Sequence, residues 1–309
     1  MKIITIVGPT AAGKTDLAIK IARKISGEII SADSRQIYKY LDIGTAKPMS
    51  EQRRQATFHL IDFVHPDDNY SCGQFARDAE LKIADIIRKK RVPVICGGTG
   101  LYIKALFQPL HVLPVSNPEI KNKLQASLEK HGVEFLYKKL LSVDPHWAAQ
   151  IMPRDKQRIM RGLEVYEMSG KPLSLVLKTR KKETKYKPHY IGLNLPRAEL
   201  YRIIDQRFDE MIEQDLVNEV KSLLKKGLNP SSNALRTIGY KELIQYLNGE
   251  MILEMAIQRA KQRTRNFAKR QITWFNKIPG LSWYDPGDPD IVKYIIDQWK
   301  SYRSADQKQ

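Results

Sequence analysis

The segment GPTAAGKT at residues 8–15 constrains the fold of this chain more than any other part of the sequence. It fits the pattern G-x-x-x-x-G-K-[S/T], it follows a short strand-like run, and it precedes an apolar-periodic stretch typical of a helix. In that setting backbone N–H groups turn inward around a phosphate, the lysine neutralises its oxygens, and the Ser/Thr hydroxyl can hold Mg²⁺. The pattern therefore predicts a di- or triphosphate site rather than a glycine turn without a ligand. This phosphate loop comprises Gly8, Pro9, Thr10, Ala11, Ala12, Gly13, Lys14 and Thr15.

Strand and helix patterns alternate over the first hundred residues. Strands are predicted at 2–7, 28–32, 59–64 and 92–96, and helices at 14 to about 26 and at 74–90. Such alternation indicates an α/β fold with a parallel sheet flanked by helices, like the core of P-loop NTPases. Ligands of these sheets bind at the carboxyl ends of the strands. We therefore expect the polar loops at 8–15, 33–36 and 97–100 to converge on one site.

The pattern changes near residue 114, where only helices are predicted for a long stretch. These helices lie at 118–131, 133–143, 145–151 and 156–169. The segment 178–187 has six Lys or Arg and one Glu, and it predicts an exposed hairpin or loop. A strand resumes at 190–195. The sequence thus predicts a core of residues 1–113 and 190–309 with an inserted all-helical domain at 114–189.

The charge balance points to a polyanionic partner. Lys and Arg number 52 against 34 Asp and Glu, so the formal net charge is +18 and the isoelectric point is near 9.7. Nucleic acid or phosphorylated metabolites would explain this excess, and a solvated basic surface is the alternative. The two cysteines, Cys72 and Cys96, lack the spacing of a disulfide scaffold or a zinc ribbon. No apolar run is long enough for a membrane span, and the first residues resemble a strand rather than a signal peptide, so we expect a cytoplasmic protein.

The predicted strand 92–96 ends in Gly-Gly-Thr-Gly, without the acidic residue that ATPase motors carry there to hold Mg²⁺. The nearest acidic residue is Asp33, at the end of the neighbouring predicted strand. This arrangement argues against a motor, and a small-molecule or nucleotide kinase remains the default class for a phosphate loop of this kind.

Seven sequence blocks carry a family resemblance: 8–15, 31–38 (SADSRQIY), 44–48 (GTAKP), 59–62 (HLID), 97–102 (GGTGLY), 238–242 (IGYKE) and 269–274 (KRQITW). Together they resemble the bacterial tRNA dimethylallyltransferases, also called tRNA isopentenylpyrophosphate transferases, from residue 2 to about residue 274. The sequence departs from the usual family pattern at Phe58, where histidine is common, and at Asp215, where glycine is common.

The resemblance implies transfer of a dimethylallyl group from dimethylallyl diphosphate to N6 of the adenosine immediately 3′ of the anticodon, position 37 of tRNA. It implies that the phosphate loop binds the diphosphate leaving group rather than ATP, with Mg²⁺ on Thr15 as cofactor. The expected partners are then the anticodon stem-loop of tRNA and the prenyl diphosphate. Nothing in the sequence indicates a membrane or more than a monomer.

Three residues are expected to act in the chemistry. Asp33 can accept the proton that the adenine amine loses as it attacks the allylic carbon, although an aspartate here could instead cap a helix. Thr99 offers a hydroxyl that in the family contacts the substrates, and a turn threonine is the alternative. Arg207 falls within the apolar stripe of a predicted helix, where it needs a buried anion unless it reaches to the edge of the core.

The last long predicted helix has a basic face. The side chains of Arg259, Arg263, Asn266, Arg270, Trp274 and Lys277 lie within roughly 80° of one another on a helical wheel. Seven basic residues and no acidic one occur from Arg259 to Lys277. RNA phosphates and a stacked base would explain this face, and a solvated charged face is the alternative.

The resemblance extends the tRNA contacts to three groups of residues. The loop residues are Asp33, Ser34, Arg35, Gln36 and Thr99. The residues of the helical insertion are Lys123, Gln157, Arg158, Ile159, Met160 and Arg161. The residues of the basic helix are Arg263, Lys269, Arg270, Gln271, Thr273 and Trp274.

Three other functions share some of these features. A nucleotide or shikimate-type kinase would have the loop and the sheet, but it would not need the acid-free basic helix. An enzyme that prenylates free AMP or ADP would also make little use of that helix or of the insertion. An RNA-binding NTPase switch should keep a Walker-B acid or a water-positioning residue, and the sequence offers none.

Overall fold

The computed structural model describes residues 2–108, 113–114, 116–178 and 184–306, and the fold is stated for these residues. The strands are β1 (Lys2–Val7), β2 (Gly27–Ser31), β3 (Phe58–His59), β4 (Val92–Gly97), β5 (Lys187–Leu193) and β6 (Ser282–Tyr284). The helices before β5 are α1 (Lys14–Lys24), α2 (Ser50–Gln55), α3 (Cys72–Arg88), α4 (Gly100–Phe107), α5 (Pro118–Val143), α6 (Pro145–Ala148), α7 (Lys156–Ser169) and α8 (Leu173–Val176). The helices after β5 are α9 (Arg197–Glu213), α10 (Leu216–Lys225), α11 (Tyr240–Leu247), α12 (Leu253–Phe275) and α13 (Ile291–Asp306).

The six strands form one parallel sheet in the order β3-β2-β4-β1-β5-β6. Successive residues of the central strand β1 enter opposite hydrophobic clusters: Ile4 and Ile6 pack on one face, and Ile3 and Val7 on the other. A strand buried on both faces is apolar along nearly its whole length, which explains the sequence KIITIV. The predicted α/β fold with a parallel sheet flanked by helices is confirmed.

The predicted third strand, 59–64, is wrong beyond its first residue. The strand β3 ends at His59, and the left-handed backbone at Leu60 (φ 58°) and Asp62 (φ 63°) turns the chain away from the sheet. An isolated parallel bridge joins Val64 to Tyr38. The turn directs the Asp62 carboxylate to the buried Lys47 ammonium at 2.7 Å. The ion pair therefore accompanies the turn that ends the extended conformation.

The chain forms two compact units, Met1–Phe107 with Lys185–Gln309, and Gln108–Thr184. The sequence placed the insertion at 114–189. The observed second junction comes earlier because β5 already begins at Lys187 and pairs with the whole of β1, whereas the predicted strand began at residue 190. The predicted basic loop overlaps residues 179–183, which lie outside the described residues.

The second unit has its own core of helices. Leu124, Leu136 and Leu140 of α5 pack with Ile159 and Leu163 of α7. The long helix α5 is interrupted at Gly132, whose backbone (φ 79°, ψ 173°) is not helical. The two helices predicted on either side of residue 132 therefore meet at this glycine. The unit is stabilised by apolar packing of its own residues.

Helices α9 and α12 are joined by ion pairs. Lys261 of α12 contacts Asp209 at 2.6 Å, and Arg265 contacts Asp205 at 2.6 Å. The two acidic residues belong to α9 and are four residues apart, so they lie on one face of that helix. Beyond the Arg265–Asp205 pair, the buried Ala268 packs on Leu200 and Ile204. These contacts fix α12 along the core unit.

Asp215 occupies a left-handed conformation (φ 75°, ψ 34°) at the start of α10. Glycine adopts this conformation without steric cost, while aspartate tolerates it less well. Both oxygens of the Asp215 carboxylate accept hydrogen bonds from the Asn218 amide, at 2.9 and 3.0 Å. The local backbone thus explains why glycine suits this position.

We expect Asp215→Gly to be at least as stable as the parent protein, because it relieves the left-handed backbone. Asp215→Ala should be less stable than the glycine variant by roughly 1 kcal/mol, since both variants lose the Asn218 contacts but only alanine keeps the left-handed strain. Thermal unfolding of the three proteins measures this order. An alanine variant as stable as the glycine variant would contradict the assignment.

Candidate active site

Three loops meet at the carboxyl edge of adjacent strands β1, β4 and β2. The phosphate loop follows β1, Asp33 follows β2, and residues 97–100 follow β4. The last two loops are bonded directly, because the Ser34 N–H donates to the Thr99 hydroxyl oxygen at 2.9 Å and the Thr99 N–H donates to the Ala32 carbonyl at 3.1 Å. The expected convergence of the three loops is therefore observed.

The phosphate loop is curled around its own lysine. Gly13, immediately before α1, has a left-handed backbone (φ 74°), and so does Ala11 (φ 66°). The Lys14 ammonium turns back over the loop and donates to the Pro9 carbonyl at 2.6 Å. Burial lowers the pKa of Lys14 to about 8, against the opposing influence of Cys96 and Asp33. A bound anion would favour the charged ammonium and offset this effect.

Arg207 lies beside the same charges. It is half-buried on α9, next to the buried Ile204 and Phe208. Burial lowers the pKa of its guanidinium, while the charges of Asp33, Glu210 and Asp16 raise it. Among the described residues no carboxylate lies within ion-pair distance of Arg207. The helix α9, which carries this arginine, packs near Ala11 of the phosphate loop.

Asp33 uses one carboxylate oxygen to hold its own loop. Its Oδ1 accepts from the N–H groups of Arg35 at 2.8 Å and Gln36 at 3.3 Å. Residues 34–37 form a turn rather than an α-helix, so the aspartate caps a turn and not the helix considered from sequence. No described residue donates to its Oδ2. One oxygen therefore positions the side chain while the other remains open.

The neighbours of Asp33 are held by further hydrogen bonds. The Gln36 amide donates to the carbonyls of Thr45 at 3.3 Å and Ala46 at 2.9 Å. The Arg35 guanidinium donates to the Asn233 carbonyl at 2.5 Å. The Arg35 bond connects the Asp33 turn to residue 233, and the Gln36 bonds connect it to the segment 44–48. In that segment Lys47 is buried between the carboxylates of Asp42 and Asp62, each at 2.7 Å, a supporting ion triad that sequence reasoning missed.

Helix α12 packs directly on the loop that carries Thr99. A side chain at Gly100 would overlap the Trp274 indole, and one at Gly98 would overlap the Gln271 amide. Gln271 is buried, whereas 41% of Trp274 is exposed. The two predicted RNA contacts thus differ: the indole is available at the surface, and the Gln271 amide faces the loops beneath it.

The basic residues of α12 fall into two groups. Lys261 and Arg265 pair with α9, and Arg263 pairs with the fully buried Glu242 carboxylate. Arg263 was expected to pair with RNA phosphates; its guanidinium pairs with Glu242 while 45% of the side chain stays exposed, and the phosphate contact stays a prediction. No acidic partner lies near Lys269 or Arg270 in the part of the chain that the structure describes. The partner of Arg263 is 21 residues away in the sequence, so only the folded structure reveals the pair. The Glu242 carboxylate also accepts a hydrogen bond from the Gly239 N–H at 2.7 Å.

Lys269 and Thr273 border a cavity of about 560 Å³ between α12 and the start of α9. Tyr201 and Leu200 of α9 form part of its opposite wall. These two predicted RNA contacts therefore line the cavity, whereas Trp274 packs against Gly100.

The predicted RNA contacts of the second unit are only partly available. Ile159 is fully buried in the core of that unit, which corrects its assignment, since its side chain cannot touch RNA. Met160 packs against the same core. The Arg161 guanidinium is held by Glu164 and by the Pro114 carbonyl, each at 2.7 Å. The exposed members of the set are Lys123, Gln157 and Arg158.

The residues around Thr15 suit a magnesium ion bound chiefly by substrate. Thr15 is half-buried in the first turn of α1, and no cluster of three His, Cys, Asp or Glu residues occurs among the described residues. Magnesium usually keeps several waters and is held by one or two protein groups together with phosphate oxygens. The donor set fits that mode and not an all-protein cage.

No helix within the described ranges is long and apolar enough to cross a membrane.

Comparison with known proteins identifies the family. A model of the IPP transferase family matches residues 36–278, and one of the isopentenyl transferases matches residues 1–62. The chain is 45% identical to the tRNA dimethylallyltransferase of Carboxydothermus hydrogenoformans over 94% of each chain, and 44% identical to that of Thermoanaerobacter sp. over 96% of this chain and 98% of the relative.

Solved structures agree with this assignment. The tRNA isopentenylpyrophosphate transferase of Bacillus halodurans is 34% identical, covers 99% of both chains and superposes with a TM-score of 0.73. A eukaryotic dimethylallyltransferase acting on tRNA is 30% identical over 98% of this chain and 77% of its own, with a TM-score of 0.80. Both the sequence and the fold therefore lead to one conclusion: the chain belongs to the IPP transferase family.

Proposed function

We propose that this protein transfers a dimethylallyl group from dimethylallyl diphosphate to N6 of the adenosine immediately 3′ of the anticodon, position 37 of tRNA. The products are N6-isopentenyladenosine and diphosphate. The observation that carries the proposal is the placement of Lys14 and the open oxygen of Asp33 at one edge of the sheet, with helix α9, which carries Arg207, packed near Ala11 of the phosphate loop. The names of the relatives, which are tRNA dimethylallyltransferases, support the same reaction.

The phosphate loop, Lys14 and Arg207 stabilise the leaving group. As the allylic C–O bond breaks, negative charge grows on the diphosphate, and two cations in a poorly solvated site oppose that charge strongly. Mg²⁺, held by the Thr15 hydroxyl and the diphosphate oxygens, would supply further charge neutralisation. The electron pair of the broken bond stays with the diphosphate, which leaves.

Asp33 takes the proton from the attacking amine. An exocyclic adenine amine is a weak nucleophile, and it must lose one proton when its nitrogen bonds to the allylic carbon. The Arg35 and Gln36 N–H groups fix one carboxylate oxygen, so the other can face the amine in a defined orientation. Thr99, whose hydroxyl is bonded to Ser34, would contact the adenine from the neighbouring loop.

RNA binding is assigned to the exposed cations of both units. On α12 these include Lys269 and Arg270, with the half-exposed Trp274 as a surface for base stacking. In the helical unit they include Lys123 and Arg158, and this unit is the proposed second tRNA-binding element. The adenosine must leave the anticodon loop to reach the sheet edge, as other enzymes that act on a base require.

We propose a monomer that acts in the cytoplasm, where tRNA is available. The two edge strands, Phe58–His59 and Ser282–Tyr284, contain two and three residues. Short edge strands offer little backbone for pairing with a second chain. This feature supports a monomer.

The direct test of the function is an incubation of unmodified tRNA with the protein, Mg²⁺ and dimethylallyl diphosphate, followed by mass spectrometry of the nucleosides. We expect one prenylated adenosine, at position 37. Parallel incubations with free AMP and with ATP separate the other functions: prenylated AMP would indicate a free-nucleotide enzyme, and ATP consumption a kinase or an NTPase switch.

Asp33→Asn should bind both substrates almost normally and transfer about 10²–10⁴-fold more slowly, because the amide oxygen can still hold the turn but cannot take a proton. Single-turnover transfer and melting temperature are measured for the parent and the variant. Asp33→Ala, which also loses the turn contacts, serves as the comparison. A fast asparagine variant with normal stability would mean that Asp33 only caps the turn.

Diphosphate binding should weaken as the pH rises through about 8, because the free Lys14 loses its charge there and only the charged form is favoured by the anion. The loss of diphosphate affinity should approach tenfold per pH unit, until the pH reaches the pKa that Lys14 has in the complex. Calorimetry with inorganic diphosphate measures it, with Lys14→Arg as control because arginine stays charged and the ligand titrates identically. The same pH dependence in both proteins would contradict a role for Lys14.

Arg270→Ala and Arg263→Ala form a matched pair on α12. Removing Arg270 should reduce the slope of log affinity for tRNA against log salt by about 0.7–0.9, the value for one lost phosphate contact. Removing Arg263 should leave that slope unchanged and lower the melting temperature, because the buried Glu242 loses its partner. Equal slopes for the two variants, both below the parent, would show that Arg263 also binds phosphate.

A further inference from the structure

Gln271 connects the two loops that hold the reacting groups. Its side chain is only 6% exposed. The Oε1 atom accepts from the Thr10 N–H of the phosphate loop at 2.8 Å, and the Nε2 atom donates to the Gly98 carbonyl at 2.9 Å. Both ends of the amide are therefore engaged, one with the loop after β1 and one with the loop after β4.

The peptide between Pro9 and Thr10 is held at both of its polar atoms. Its N–H donates to Gln271, and its carbonyl accepts from the Lys14 ammonium at 2.6 Å. The orientation of this peptide plane decides where its carbonyl points, and hence where the lysine ammonium lies. Gln271 thus acts on Lys14 through one rigid, planar group.

The Nε2 end of the Gln271 amide contacts the loop that carries Thr99, close to the proposed proton acceptor Asp33. Gly98 precedes Thr99, whose hydroxyl is bonded to the Ser34 backbone, next to Asp33. A side chain at Gly98 would overlap the Gln271 amide, so only glycine permits this approach. A short chain of contacts therefore leads from Gln271 to the proton acceptor.

Burying a side-chain amide costs free energy unless its hydrogen bonds are made. If position 271 only filled space, an apolar residue would serve as well and would avoid that cost. Both hydrogen bonds of the Gln271 side chain are made with backbone atoms of the two loops beneath α12. The amide is buried between those loops and does not face solvent. This placement differs from a direct RNA contact, for which the amide would have to be open to solvent.

We propose that Gln271 is a positioning residue, which sets the separation between the diphosphate leaving group and the amine that attacks. This inference rests on the proposed function. Displacement reactions need the reacting atoms in a near-attack arrangement, and an error of about 1 Å can cost about 100-fold in rate. The loss on removing Gln271 should therefore appear in the transfer step, and the affinity for each substrate alone should be retained.

The test uses Gln271→Met, which preserves side-chain length but makes neither hydrogen bond. Gln262→Met, the same change at an exposed position of α12, is the matched control. With both substrates saturating, single-turnover transfer by Gln271→Met should be about 10–100-fold slower than in the parent. Binding of inorganic diphosphate with Mg²⁺, and of an anticodon stem-loop, should change by less than about threefold.

Gln271→Asn serves as a second variant in case the methionine variant does not fold. Its amide is one methylene too short to span both loops, so the same slow transfer is expected. Transfer within twofold of the parent, or a loss that higher substrate concentrations restore, would overturn the positioning role. A parent protein that does not prenylate tRNA at all would instead refute the proposed function.

Discussion

The charged site at the carboxyl edge of the sheet depends on the placement of two cations and one carboxylate. Lys14 follows β1, Asp33 follows β2, and α9, which carries Arg207, packs near Ala11 of the phosphate loop. The negative charge of Asp33 raises the pKa of both cations, against the effect of burial. The Lys14 ammonium and the Arg207 guanidinium are both partly shielded from water, so the site has an excess of positive charge that is poorly solvated. A diphosphate would relieve that excess, so under the proposed function the arrangement that is unfavourable in the free protein would favour the leaving group during transfer.

The fold supplies this arrangement by fixing three separate pieces. The parallel sheet brings the phosphate loop and Asp33 to one edge, because β1 and β2 are separated only by β4. Arg207 arrives on α9, and α9 is fixed to α12 by the pairs of Asp205 with Arg265 and Asp209 with Lys261. Several basic residues of α12 are therefore structural, which reduces the share of the +18 net charge that is available to RNA.

Local patterns were enough to predict the phosphate loop, most of the strands and the α/β class. Asp33 and Arg207 could also be singled out, because one follows a strand and the other interrupts an apolar stripe. Tertiary contacts decided the rest. The chain turns after β3 toward the contact of Asp62 with Lys47, and Arg263 pairs with Glu242, which is 21 residues away. The bond from Gln271 to Thr10 spans 261 residues, and no sequence pattern reveals it.

The account is tested most directly by a crystal structure of the protein with Mg²⁺, an anticodon stem-loop and a non-reactive thio analogue of dimethylallyl diphosphate. We predict the diphosphate on Lys14 and Arg207, and the adenine N6 within about 2.6–3.2 Å of the Asp33 oxygen that is open in the free protein. An analogue bound away from Arg207, or an adenine amine that faces no carboxylate, would contradict the central claim that one charged site both releases the diphosphate and accepts the proton.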